Sequence, residues 1–243
     1  MQNVSDTFLE ITGKTYRVDP RLDVVNASGT ITFGADKLYT MKTTRKLFSE
    51  STPSIGGTVS GEIDATIILD GNKIDRMAKI IPYVRVTDGD KYSEWIPKGH
   101  YWIDTRSYDK STDKLTIHGY DAMLRGEQSL TTEGDQGQYP RVDADVVADI
   151  CDLLSTDDET VELDDRTSID KGYTIQYPGY GSAAYTAREI LGYIGTLYGG
   201  NWAMTDSGKL RLIALNGIPV ETYRLIDEGN NNITFGGDYI IVG

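Results

Sequence analysis

The sequence predicts a mainly β fold with an α/β part (α+β). A barrel-like antiparallel domain is expected over residues 1–132, followed by a mixed domain over 133–243 with two helices and a hairpin. Three observations carry that expectation. Apolar and polar residues alternate in short runs through the first half, the period of a strand with one buried face. Helical spacing of apolar residues begins only beyond the middle of the chain. Between the two lies Leu130-Thr131-Thr132-Glu133-Gly134-Asp135-Gln136-Gly137-Gln138, where Gly and polar residues replace any apolar period, as in a linker. The 243 residues suffice for one large domain or two ordinary ones, and 26 Gly and 16 Tyr against four Phe suit strands and turns.

In chain order, Ile63, Ala65, Ile67 and Leu69 alternate with Asp64, Thr66 and Ile68, and Asp70-Gly71-Asn72 supplies a turn. Gly99 to Tyr108 is rich in strand formers. The polar run Asp109-Lys110-Ser111-Thr112-Asp113 then leads into a second strand, Lys114 to Tyr120, which makes a hairpin. Pro82 and Pro97 lie in or beside strand-like runs; proline cannot donate to a ladder, so both are expected at edges or strand ends. Many short strands with regular turns favour a barrel or a sandwich. Beyond the linker, Asp143 or Asp145 is placed to cap a helix whose apolar side is Val146, Val147, Ile150, Leu153 and Leu154. A second helix is expected over 186–198, with Ala187, Ile190, Leu191, Ile194 and Leu197 at helical spacing and Gly199-Gly200 as its stop. Asn201 to Thr205, the turn Asp206-Ser207-Gly208 and Lys209 to Leu215 read as another hairpin. Tyr239-Ile240-Ile241-Val242 reads as a strand, and a strand in that place suggests a piece truncated from something longer.

Charge excludes several classes. The chain has 24 Lys plus Arg against 37 Asp plus Glu, a formal charge of −13, so the clustered cations that carry nucleic-acid affinity are missing. The excess is local: residues 133–170 hold 13 acids against Arg141 and Arg166, a net of −11. The longest apolar runs are of the length of Ile67-Ile68-Leu69, so no segment is a membrane-spanning helix. Met1 to Asp6 has neither the basic start nor the apolar core of a signal peptide. The one cysteine, Cys151, excludes an internal disulfide framework and any multi-cysteine zinc site. A soluble, acidic, strand-rich protein of a reducing compartment is what these constraints leave.

The patterns that bear on chemistry are few. Gly179-Tyr180-Gly181-Ser182-Ala183-Ala184 matches G-x-G-x-x-A between a strand-like run and a helix, and Asp206 lies where a ribose-binding acid is sought. Gly179, Gly181 and Asp206 are therefore the dinucleotide-binding candidates. Against them, the strand after the helix turns straight back at Asp206-Ser207-Gly208, and the acid stands further on than the usual interval of about 20 residues. His100 and His118 fall on the two arms of the first hairpin; a two-histidine metal site there would need Asp104 or Asp121, and a cross-strand polar pair or two unrelated surface imidazoles is the plainer reading. No G-x-S-x-G occurs, and Cys151 among Ile150 and Leu153 reads as a buried small hydrophobe. Asp157, Asp158, Glu159 and Glu162 are candidate calcium ligands, but the run lacks the EF-hand order, and a solvated acidic face is the alternative. Paired carboxylates with Tyr and Trp leave a glycan-cleaving cleft open without singling out any pair. No residue is assigned as catalytic, and no cofactor is implied.

Four segments, in their order, carry a resemblance. They are Met41 to Phe48 followed by Ser54-Ile55-Gly56-Gly57 and the strand from Glu62; Trp95-Ile96-Pro97-Lys98-Gly99-His100 running on to Asp104; Leu115 to Leu124, a strand entering Tyr120-Asp121 and a short helix; and Thr186 to Leu191 with the Gly-Gly and hairpin after it. Over roughly residues 30–215 they resemble bacteriophage and prophage tail proteins, specifically the tail hub (baseplate hub) and the N-terminal platform of tail-associated lysins. The resemblance implies a scaffold of paired β-barrels with an α/β insertion, a homotrimeric ring in the virion that joins the tail tube to the tail tip or baseplate. Neighbouring tube and tip proteins are the implied partners, and the virion tail, after assembly in the bacterial cytoplasm, is the implied location. It implies no enzyme activity, because the hydrolase of such lysins sits in a separate downstream domain. DNA passes such a hub without being bound. Asp157, Asp158, Glu159, Glu162, Asp164 and Asp165 then read as acids lining the channel, whose like charge keeps the polyanion from adhering; a solvent-facing surface is the alternative. A dinucleotide-binding enzyme and a carbohydrate-binding or hydrolysing tail module remain the other readings.

Overall fold

The computed structural model describes residues 4–48, 52–179, 181 and 184–215, and the backbone of four two-residue strands beyond them. Among these residues, eight strands form one sheet with antiparallel ladders: β1 (Arg17–Asn26), β2 (Gly29–Phe33), β3 (Leu38–Thr44), β4 (Glu62–Ile68), β5 (Lys79–Thr87), β6 (Ile96–Pro97), β7 (Tyr101–Asp109) and β8 (Lys114–Tyr120). Their order is β2-β1-β5-β7-β8-β4-β3, with β6 alongside β5. β2 and β3 stand at opposite ends of that order, yet residues 34–37 alone connect them. Five Cα steps reach at most about 18 Å, so the sheet has to curl until its two ends lie side by side. The result is barrel-like in curvature, and no ladder between β2 and β3 closes it among the described residues.

Alternation places the side chains as the sequence predicts. Ile63, Ala65 and Ile67 of β4 are buried, and Ala65 and Ile67 face Ile117 and Leu115 of β8 across the ladder. Leu22 and Val24 of β1, Phe33 of β2, Ile80 of β5 and Tyr101 of β7 complete this first core. Each such fully buried side chain contributes about 2 kcal/mol. The other face of β1 carries Arg17, Asp19, Arg21 and Asp23. Arg21 lies over the rings of Tyr83 (4.3 Å) and Trp95 (4.7 Å), and Arg85 lies over Tyr92 (4.1 Å) and Trp95 (4.5 Å). Helix α1 (Asp6–Thr12), capped by the Ser5 hydroxyl accepting from the Phe8 N–H, buries Ile11.

Pro82 corrects the expectation that proline marks an edge. It sits inside β5, between β1 and the β6–β7 side. Its carbonyl accepts from the Lys98 N–H at 2.8 Å, and in an extended strand the N–H of a residue points the same way as its C=O. The missing donor therefore faces the short β6 side, and the β1–β5 ladder is undisturbed.

A second core begins at Ala122 and Met123, ahead of the expected linker. It is built by the 3₁₀ helix Ala122–Glu127, α2 (Asp143–Leu154), α3 (Ala187–Leu197), β11 (Gly200–Met204) and β12 (Leu210–Ala214), with the short antiparallel pair β9 (Arg141–Val142) and β10 (Thr174–Ile175) at its side. The linker itself winds into a 3₁₀ helix, Glu133–Gln138, because Thr132 and Asp135 form a reciprocal capping box. Neither Asp143 nor Asp145 is the cap of α2, which is Val142. Asp143 is its first residue and is fully buried, accepting from the Ala144 N–H (2.9 Å) and the Tyr198 hydroxyl (2.7 Å). Thr186 caps α3 in a capping box with Glu189, and Gly199, at φ +67°, follows the helix. Tyr223–Arg224 pairs with Ile241–Val242, and Thr234–Phe235 with Asp238–Tyr239; Ile240 of the expected last strand lies outside the described residues. No helix among the described residues is long and apolar enough to cross a membrane.

Candidate functional site

A set of hydrogen bonds and ion pairs joins the two cores where they meet. One half of this seam is uncharged. The segment between β3 and β4 leaves the sheet and lies against α3 and β11. There the fully buried Asn201 uses its whole amide: Nδ2 donates to Leu47 O (3.0 Å) and Ser54 O (2.8 Å), and Oδ1 accepts from the Gly57 N–H (2.7 Å). The Trp202 N–H donates to Gly57 O and the Gly56 N–H to Gly200 O. Gly56, at φ +83°, lies so near α3 that a Cβ would come within 2.7 Å of Gly192 O. Only glycine combines that φ with that approach.

The other half is ionic. Glu159, 10% exposed in its side chain, meets Lys79 of β5 (2.6 Å) and Nδ1 of His100 (2.5 Å). Burial raises its pKa, but hydrogen bonds and charge from His100 and Lys79 outweigh burial and hold the carboxyl below its usual range. Asp206 is held between Arg45 and Lys98, the latter at 3.0 Å, and Arg45 also donates to Lys98 O at 2.9 Å. Gly208 completes the packing: a Cβ there would stand 2.6 Å from both Glu159 Oε1 and His100 Nδ1. Nearby, the buried Asp121 caps the 3₁₀ helix 122–127, accepting from the Gly61 N–H (2.7 Å) and the Met123 N–H (3.1 Å). Burial pushes its carboxyl up to about 7, opposed by those two donors and by Arg45 and Arg188.

This geometry redistributes the residues singled out in the sequence. Asp206 is committed to Arg45 and Lys98. Thr174–Ile175 pairs antiparallel with Arg141–Val142, and β11 pairs antiparallel with β12, so the parallel crossover of a dinucleotide fold is missing from this region among the described residues. Gly179 and Gly181 both have positive φ, whereas Tyr180, Ser182 and Ala183 of that motif lie outside the described residues. The histidines do not meet: His118 pairs with Asp64 across β4–β8 (2.8 Å), and His100 with Glu159. Asp104 is exposed in β7. The six acids divide. Glu159 is in the seam and Asp164 is buried, bound through both oxygens by Arg166 (2.6 and 2.7 Å), whose guanidinium and backbone N–H, against burial, bring its pKa down to about 2. Asp157, Asp158, Glu162 and Asp165 are exposed, the last two beside Lys209 (3.0 and 3.9 Å). Among the described residues no three His, Cys, Asp or Glu side chains converge on a metal-sized site, so the calcium alternative has no ligand set. Cys151 is buried, and burial pushes its thiol up to about 12.

An open cleft of about 680 Å³ is lined by Arg45, Leu47, Asp164, Arg166, Asp206 and Arg211. Asp164 and Asp206 are paired with Arg166 and Arg45, while Asp165, which also lines the cleft, is exposed beside Lys209 at 3.9 Å. Asn201, Gly56 and Lys79 are the seam residues that sequence reasoning missed. The only local signal was Asn201 directly after Gly199-Gly200, a polar residue opening an apolar strand.

No protein-family model and no curated protein matches the sequence. Two solved structures are similar to this chain, and the first shares its architecture. The 43 kDa tail protein of prophage MuSo2 from Shewanella oneidensis matches 81% of this chain at a TM-score of 0.52 and 14% identity. Prophage tail protein gp18 from Listeria monocytogenes EGD-e matches 88% at a TM-score of 0.44 and 9% identity. The matched part is 53% of the first of those chains and 64% of the second, so this chain corresponds to a part of each.

Proposed function

We propose that this chain is a structural component of a phage or prophage tail, a hub or adaptor that joins the tail tube to the tail tip or baseplate. The fold shared with the 43 kDa tail protein over 81% of the chain is the observation that supports this most. The order of the four segments read from the sequence points the same way. The site agrees with a scaffold, because its polar groups are spent on each other across the seam. In this reading the chain has no catalytic role, forms a homotrimeric ring in the virion and contacts the neighbouring tube and tip proteins. The ring's channel, through which DNA passes unbound, is lined by Asp157, Asp158, Glu162 and Asp165; Glu159 and Asp164 are taken up by internal ion pairs.

Co-expression with the tube and tip proteins encoded beside it, followed by electron microscopy of the purified complex, tests the proposal. A three-fold ring at the end of the tube, with the four acids facing its axis, is the expected outcome. A strict monomer in the presence of those partners overturns it, and acids on the outer rim overturn the channel.

A further inference from the structure

We propose that the seam between the two cores is a hinge, with an uncharged pivot on one side and a charged latch on the other that opens while the pivot holds. The two halves differ in kind. The pivot is made of backbone and amide hydrogen bonds: Asn201 to Leu47, Ser54 and Gly57, Trp202 to Gly57, and Gly56 to Gly200. Such bonds between neutral groups respond little to ionic strength. The latch is made of charges and has one direction. The bases in ion-pair contact with the two acids come from the sheet or its loops: Arg45 after β3, Lys79 in β5, and Lys98 and His100 between β6 and β7; Arg125, on the second core's own side, adds only longer-range charge to Glu159. Both acids come from the second core's segments: Glu159 after α2, and Asp206 in the β11–β12 turn.

That division makes the latch separable. Glu159 faces Lys79 of β5, His100 of the turn before β7 and Arg125 of the 3₁₀ helix 122–127. Asp206 faces Arg45 and Lys98, and its charge is felt at the Tyr101 hydroxyl. Salt acts on these pairs less strongly than on surface pairs, because their side chains are only 10–37% exposed, but it acts on them more than on the neutral bonds of the pivot. Both acids ride on turns, Thr156–Glu159 and Thr205–Gly208, and once its bases let go each turn is held only by its own few backbone hydrogen bonds, whose amides then exchange more readily. Because the Glu159 carboxyl is held below its usual range, its contribution is fully present at neutral pH and is lost only as pH falls through that lowered value.

Hydrogen exchange read by mass spectrometry on the whole chain tests the hinge, comparing about 0.05 M with about 1 M NaCl at neutral pH. The expected result is that exchange at the amides of Thr156, Glu159, Thr205 and Gly208 rises about tenfold in high salt, while those of Gly56, Gly57 and Trp202 keep their protection. Glu159→Gln should give the same pattern in low salt. Gly208→Ala, which wedges a methyl group between Glu159 and His100, should do so independently. The salt arm needs no variant to fold. Equal loss of protection in both halves overturns the hinge, because the seam would then open as one. Unchanged exchange in the latch turns under salt overturns it as well.

Discussion

Single residues in the seam do work that their neighbours in sequence do not announce. Asn201→Ala removes a fully buried amide and the partner of two carbonyls and one N–H in a partly buried place, at about 1–3 kcal/mol for each group left without water. Chemical denaturation of that variant should show a loss of about 3 kcal/mol or more with an unchanged denaturant slope. Asp121 makes a prediction of opposite character. Its folded pKa, about 7, stands above the ordinary aspartate value of 3.8, so the folded state holds the proton more tightly. The stability it contributes is fully present below about pH 4 and is lost as pH rises through about 7. Unfolding measured from pH 4.5 to 7.5 should therefore show wild type losing stability relative to Asp121→Asn as pH rises; parallel curves would refute the assignment. Neither role was legible in the sequence, and the reason is distance along the chain. Asp206 looked like a ribose acid, and Glu159 like one of several surface acids. Their partners Arg45 and His100 stand 161 and 59 residues away, and no local pattern announces such a pair.

At the scale of elements, local chemistry was readable wherever it acts locally. The alternation in β4, the β7–β8 hairpin and the glycine stop of α3 all depend on residues a few positions apart, and all of them formed; the Thr186–Glu189 capping box of α3, just as local, was not read. Pro82 and the α2 cap were misread because their outcome rests on what lies opposite: a short β6 beside the proline, and Tyr198 reaching the buried Asp143. β8 shows how narrow such tolerances are. Gly119 faces Ile63 and Ile103 beside a register shift in β7, and a Cβ there would lie 2.5 Å from Trp102 O. Backbone is the obstacle, so no side chain can move aside to relieve it. Gly119→Ala should cost at least about 2 kcal/mol and lower the melting temperature, whereas Gly71→Ala meets nothing within 4 Å and should cost little beyond the strain of its positive φ.

For the whole molecule, the change of hydrophobic period along the sequence foretold a strand-rich first part and two helices beyond it, and missed the short early helix α1 (Asp6–Thr12). The division of the acidic segment was hidden: the same charge excess supplies the seam's Glu159, the buried Asp164 and an exposed remainder. Composition counts charges but does not say which of them find a base. The curl of the sheet has one more consequence, and it concerns time. β1 and β2 meet across a two-residue turn, and β7 and β8 across the short run after Asp109, so these hairpins close at little entropic cost. The β1–β5 ladder joins residues as far apart as Arg17 and Thr87, and it has no partner until the intervening chain has been gathered in. Folding should therefore be slow for a chain of this size, with the hairpins present early and the meeting of β1 with β5 deciding the rate.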